Sequence, residues 1–273
     1  MESIPTAFVD AVCATLLKED LKILQDIGEP WTSTVTTHYS RRREFDVYLA
    51  ANPAETEVAI GVSEYGRWTY GNVASLSTND RIRLILAGAA NYAALPEKMP
   101  MERFRTKVLP LLNFGLRAPA LNIKTGCFGG NCIEFVEQQI AFGQLEELTL
   151  YGKEWPDSLK APLKSFLKFP NFVKLDVIGS DLTVDLDMLT CIVERFLKGE
   201  LREDTLLVGK PSEEMRDLHF KSVRGYSLPL LDGLSTRPQT CRFDNNMIFW
   251  RRPDLKELFV LFSGSSFVQI TQH

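Results

Sequence analysis

Long apolar runs are missing from this chain of 273 residues. No segment approaches the roughly 20 apolar residues that span a bilayer. The longest uncharged stretch of note, Leu84 to Leu95, is short and holds Asn91. Met1–Glu2 opens on an acid without a basic flank, which does not indicate a secretory leader. Basic surplus is missing too: 31 Lys and Arg against 35 Asp and Glu leave a net charge of −4. A nucleic-acid surface normally shows a basic domain or stripe. The one compact basic run, Arg41–Arg42–Arg43, falls at a predicted helix end and reads as a solvated face. Cysteines 13, 127, 132, 191 and 241 are odd in number and widely spaced, so buried thiols are expected rather than a disulfide framework. The expectation is a soluble, intracellular protein, cytoplasmic and/or nuclear.

Catalytic signatures are equally scarce. The three histidines, His38, His219 and His273, have no cysteine or carboxylate at metal-ligand spacing. There is no Gly-x-Ser-x-Gly elbow and no His-Glu-x-x-His. Cys127 and Cys132 are five apart with no second pair, which suits structural thiols at a turn. Glycines 126, 129 and 130 follow a short strand in the layout of a phosphate-cradling turn. They lack the Lys-Ser/Thr ending of a P-loop, and a turn between repeats explains them with fewer assumptions. The adjacent acids Glu146–Glu147 and Glu213–Glu214 read as chance pairs facing water. No catalytic residue, metal or cofactor is expected.

What is present is an ordinary globular composition, 45% hydrophobic and 24% charged, in a chain long enough for one large domain or two small ones. Three zones separate by periodicity: 1–44, 45–110 and 111–273. The first reads as three short helices. Phe8, Val12 and Leu16 recur every four residues beside Val9, Cys13 and Leu17, giving one broad apolar face. Ser3 caps this helix and Pro5 suits its first turn. A break near Lys18–Glu19–Asp20 precedes a helix with Leu21, Leu24 and Ile27. Gly28 stops it, and Pro30 starts a third helix carrying Trp31 and Val35.

In the second zone Phe45, Val47 and Leu49 alternate with Asp46 and Tyr48, and Val58, Ile60 and Val62 repeat the pattern after a turn at Asn52–Pro53. Tyr65, Trp68 and Tyr70 extend this stretch, and a helix is expected from about Asp80 to Leu95. Basic residues 81, 83, 98, 103, 105 and 107 are diluted by acids, which keeps nucleic-acid binding a weak reading. The third zone carries a degenerate repeat. Leu121–Asn122–Ile123, Leu148–Thr149–Leu150 and Leu175–Asp176–Val177 recur at 27-residue steps, each soon followed by glycine (126, 152, 179). A fourth copy, Thr205–Leu206–Leu207 before Gly209, comes one 30-residue step later. Helical stretches lie between them, over Cys132–Phe142, Leu159–Leu167 and Leu186–Leu197. One strand and one helix per 20–30 residues is the signature of leucine-rich-repeat solenoids, although the copies lack the usual asparagine-centred consensus. An ordinary α/β domain with evenly spaced units is the alternative. Beyond Asp217, Thr240–Phe243, Met247–Trp250, Leu258–Phe262 and Phe267–Ile270 read as strands that cap the end. The predicted class is mixed α/β with a parallel sheet.

The order Ile4–Pro5, Phe8, Val12, Leu16, Asp20–Leu21, Ile27, Trp31 resembles the F-box. That module of three helices docks on the adaptor subunit of SCF-type cullin–RING ubiquitin ligases. Its pattern opens Leu-Pro, continues with Asp-Leu and ends Val-Cys-x-x-Trp. Here Ile4 replaces the opening Leu, and Gly28 and Pro30 stand in the last stretch. The resemblance covers about forty residues. It implies a non-catalytic substrate adaptor, with Ile4, Pro5, Phe8, Val12, Leu16, Leu21, Ile27 and Trp31 at the adaptor interface or in the core behind it. It also implies that the repeats hold a protein substrate. A repeat-based interaction scaffold without ligase binding is the first alternative, and a phosphate-binding enzyme using Gly126–Gly130 the second.

Overall fold

The computed structural model describes residues 4–16, 18–29, 31–67, 69–73, 76, 80–109, 118–124, 132–223, 239–240, 247–263 and 266–272. Ser3, Leu17, Pro30, Trp68, the glycines 126, 129 and 130, Cys127, Cys241 and His273 lie outside them. The chain divides into two compact units, Met1–Pro119 and Ala120–His273. Both are mixed α/β.

The first unit opens with α1 (Thr6–Thr15), α2 (Lys18–Leu24) and α3 (Trp31–Arg41), a single 3-10 turn (Gln25–Ile27) joining the last two. Pro5 sits just outside α1 in extended conformation, and its carbonyl accepts from the backbone N–H groups of Phe8 and Val9. The break between the first two helices falls at Leu16, which is extended, not at Lys18–Asp20. Those residues instead open α2, where Glu19 and Asp20 suit the positive end of a helix dipole. Gly28 ends the second stretch at φ 88°, a conformation that favours glycine.

A four-stranded sheet follows, built from β1 (Glu44–Ala51), β2 (Glu57–Glu64), β3 (Arg81–Ala87) and β4 (Glu97–Pro100), in the order β3-β1-β2-β4. The expected hairpin pairs Val47 with Val62 and Leu49 with Ile60. Its turn is held by the Asn52 side chain, which accepts from the N–H groups of Thr56 and Glu57.

Residues 81–87 are a strand parallel to β1, not the helix expected from Asp80 to Leu95. The reason is a bulge: Phe45 pairs with Ile82 and Asp46 with Leu84, so Arg83 is an extra residue. The bulge spaces the buried Ile82 and Ile85 three apart, which mimics a helical period. Only a single 3-10 turn, Tyr92–Ala94, survives of the expected helix, and the one-turn α4 (Met101–Arg103) follows β4.

In the second unit a larger sheet joins a parallel half to an antiparallel half. Its parallel half is β5 (Ala120–Lys124), β6 (Glu147–Tyr151), β7 (Lys174–Asp176) and β9 (Leu206–Pro211), with the two-residue β8 (Thr183–Val184) beside β9. The four repeat strands are thus neighbours and parallel, and Leu121, Leu148, Leu175 and Leu207 stand in one register row. The connections contain α5 (Cys132–Ala141), α6 (Lys160–Phe166) and α7 (Leu186–Lys198), and α8 (Glu213–Val223) follows β9.

The local chemistry of α7 is explicit: Asp185 caps its start by accepting from the Met188 N–H, and Gly199 ends it in the left-handed region. Gly209 lies inside β9 rather than after it. A Cβ there would fall 2.5 Å from a Val177 methyl and 2.9 Å from one of Val184. Glycine at this point permits close packing, not a turn.

The antiparallel strands β10 (Gln239–Thr240), β11 (Met247–Arg251), β12 (Glu257–Ser263) and β13 (Phe267–Gln272) continue the sheet, β13 pairing with β9. Residues 241–243 of the strand expected at Thr240–Phe243 lie outside the described residues. One sheet face is fully buried: Leu121, Leu148, Leu175, Leu207, Ile270, Leu258, Ile248 and their same-face neighbours. On this side the His219 ring of α8 stacks on Phe262 at 4.5 Å between centroids. The alternate positions, such as Asn122, Tyr151, Asp176, Phe249 and Phe259, are half-buried or exposed. Among the described residues, no helix is long and apolar enough to cross a membrane.

Candidate functional site

The N-terminal helices separate two sets of apolar residues that the sequence pattern merges. Val9, Cys13, Leu21 and Val35 are fully buried and form the bundle core, with Leu16, Leu24, Trp31 and Tyr39 packed around it. Phe8 points outward with 55% of its surface exposed, and Ile4 and Ile27 are 42% and 57% exposed. The broad face expected of α1 is therefore split: Val9 and Cys13 face the core, while Phe8 faces solvent.

Of the residues expected at an adaptor interface, Ile4, Pro5, Phe8 and Ile27 are exposed and Val12 is partly buried. Leu16 and Trp31 straddle core and surface, and Leu21 is wholly interior. Ile23, 72% exposed, belongs with the outward set although the sequence did not single it out. The available signal was its position beside Leu24, where a helical turn of 100° carries it off the buried stripe.

An open groove of about 430 Å³ runs between α1 and α3, lined by Thr6, Ala7, Asp10, Ser33, Thr34, Thr37 and His38. At one side the His38 Nε2 lies 2.8 Å from an Asp10 carboxylate oxygen, and its Nδ1 is 3.5 Å from the Arg42 guanidinium. With both ring nitrogens engaged, His38 joins α1 to α3.

The arginine run is not a solvated face. Arg42 is buried and donates to the Cys13 carbonyl at 2.5 Å. Burial, and secondarily the charge of Arg81, holds its pKa below the usual guanidinium range. Arg43 makes a bidentate pair with Asp80 at 2.7 and 3.0 Å, the carboxylate being buried. Only Arg41 and the outer part of Arg43 meet water. A helix-end arginine run reads as solvated because its partners, 29 and 37 residues away, are invisible locally.

Among the described residues, no three His, Cys, Asp or Glu side chains cluster as a metal site. Cys13 and Cys132 are buried and Cys191 partly buried, all as free thiols. Burial pushes the Cys13 and Cys191 thiols above the usual cysteine range. Glu147, Glu213 and Glu214 are exposed, whereas Glu146 pairs with Arg202 at 3.2 Å. The candidate phosphate turn at 126–130 lies outside the described residues. Compared with known proteins, the chain matches no family model, no curated protein and no solved structure.

Proposed function

We propose that this chain is a non-catalytic substrate adaptor. In this reading its N-terminal helices dock, as an F-box does, on the adaptor subunit of an SCF-type cullin–RING ubiquitin ligase, and its C-terminal unit holds a protein substrate. The observation that carries the reading is the division within the helices. Their core is complete with Val9, Cys13, Leu21 and Val35, yet Ile4, Phe8, Ile23 and Ile27 remain on the surface. Large apolar side chains left exposed on so small a module suit a protein interface. The 27-residue register of the parallel strands gives independent support to a leucine-rich-repeat-like character for the second unit.

Such a protein acts by positioning. Holding ligase and substrate on one chain raises the effective concentration of the acceptor lysine near the charged ubiquitin carrier, with no reacting group supplied by this chain. Capture of the purified adaptor subunit by the full chain, lost in Phe8→Ala, is the expected result. A full chain that leaves the adaptor subunit unbound discards the ligase role and leaves a repeat-based interaction scaffold.

A further inference from the structure

At the carboxyl ends of β6 and β7 an exposed aromatic ring is held in place by backbone. Tyr151, the last residue of β6, is 43% exposed. Its ring lies against Gly179 so closely that a Cβ there would fall 2.5 Å from the ring Cδ1. The loops beneath are tied together, because the Gly152 N–H donates to the Gly179 carbonyl at 2.9 Å and Gly152 bridges Ser180 in parallel. Ile178 is exposed beside them. A tyrosine whose ring rests on backbone is the kind of side chain that anchors a partner at low entropic cost.

The charges around this ring are one-sided in availability. Lys124 is the register partner of Tyr151 on β5 and is exposed. Lys210 reaches in from β9 and donates to the Ser180 carbonyl at 2.5 Å, which leaves an ammonium two further donors. Neither lysine pairs with a carboxylate among the described residues. The acids nearby keep their charge but are turned to backbone N–H groups or to Lys174. Asp181 accepts from the Glu154 and Trp155 N–H groups, and Asp176 accepts from the Ile178 N–H and faces Lys174 at 3.8 Å. Glu154 is exposed, next in sequence to an exposed Lys153.

We propose that Lys124, Tyr151, Ile178 and Lys210 form a docking site for an acidic segment of a partner protein that carries an apolar residue between its carboxylates. The strand order β9-β7-β6-β5 puts the backbones of the two lysines on opposite sides of the ring, about 15 Å apart, with the Lys210 ammonium reaching over to the Ser180 carbonyl. The carboxyl ends of parallel strands are also where open α/β sheets receive ligands. The site rests on the adaptor reading only in being called the substrate's. The site itself does not involve the N-terminal helices, so it stands or falls separately from adaptor capture.

The test is fluorescence anisotropy on the full chain with a short labelled peptide of glutamates and aspartates around a central pair of leucines. Two controls carry lysines in place of the acids, or glycines in place of the leucines. The expected result is saturable binding of the first peptide alone, weakened several-fold between about 0.05 M and about 0.3 M salt as screening tightens. Lys124→Glu and Tyr151→Ala should each weaken it by about tenfold. Gly179→Ala, whose backbone tolerates alanine, should displace the ring and lose as much as Tyr151→Ala without altering any charge. Equal binding of either control peptide, no binding of the first, or affinity unchanged in folded Lys124→Glu and Gly179→Ala overturns the proposal.

Discussion

Replacing Val9 and Phe8 by alanine, one at a time, separates folding from docking within one turn of α1. Val9 is fully buried in the bundle core. Truncating it removes two carbons from a site that water does not reach, worth about 1.6 kcal/mol of transfer free energy. The cavity left behind brings the cost to about 2–3 kcal/mol. In a unit of this size about 1 kcal/mol moves the melting temperature by about 4 °C, so Val9→Ala should melt about 8–12 °C lower.

Phe8 differs, because more than half of its surface already meets water. Its truncation gains about 0.5 kcal/mol of helix propensity against a small loss of packing, and the melting temperature should move by less than about 2 °C. Adaptor affinity should respond in the opposite order, falling about 30-fold, or about 2 kcal/mol, in Phe8→Ala. Thermal melting monitored by circular dichroism and adaptor titration on the same two proteins give both readouts. A Phe8→Ala protein that melts as low as Val9→Ala would refute the division of α1 into an inner and an outer side.

Gly209→Ala should destabilise the second unit by about 1–3 kcal/mol, read as a lower urea midpoint, because its Cβ has no room between Val177 and Val184. Arg43→Ala should cost about 1–3 kcal/mol in the same assay, since it takes a bidentate partner from the buried Asp80 carboxylate while Arg43 itself is half in water. Trp31→Ala, at a residue that is part core and part surface, should lower both melting temperature and adaptor affinity, unlike either Val9→Ala or Phe8→Ala. Cys13 and Cys191, with thiol pKa values raised chiefly by burial, hold less thiolate at neutral pH than a free cysteine. Mass spectrometry after a brief iodoacetamide pulse on the folded chain should find both unmodified, and rapid labelling of either would contradict its placement.

Legibility in the sequence tracked how local the responsible interaction is. The parallel strands were readable because each repeat places a leucine at the same point of its strand, and the 27-residue step is also the pairing register. The hairpin was readable because Val47 and Val62, or Leu49 and Ile60, alternate on both strands and face each other. β3 was hidden by the bulge at Arg83, which breaks its alternation and gives Ile82 and Ile85 a helical spacing.

The arginine run was hidden differently, since what buries Arg42 is a carbonyl on α1 and what pins Arg43 is a carboxylate near β3. In the candidate site the residues were legible and their orientations were not. Phe8, Val9, Val12 and Cys13 on α1 make a stripe too broad to say which side faces inward, and only the packing of α2 and α3 assigns Val9 to the core and Phe8 to the surface.

The central claim is that the N-terminal helices present an adaptor-binding surface, and isothermal titration of the full chain with the purified adaptor subunit tests it most directly. The account predicts a saturable one-to-one isotherm at about micromolar concentration or below, with a negative heat-capacity change from burial of Ile4, Phe8, Ile23 and Ile27. No heat and no complex at about 100 μM of both proteins, with the chain shown folded, would contradict it.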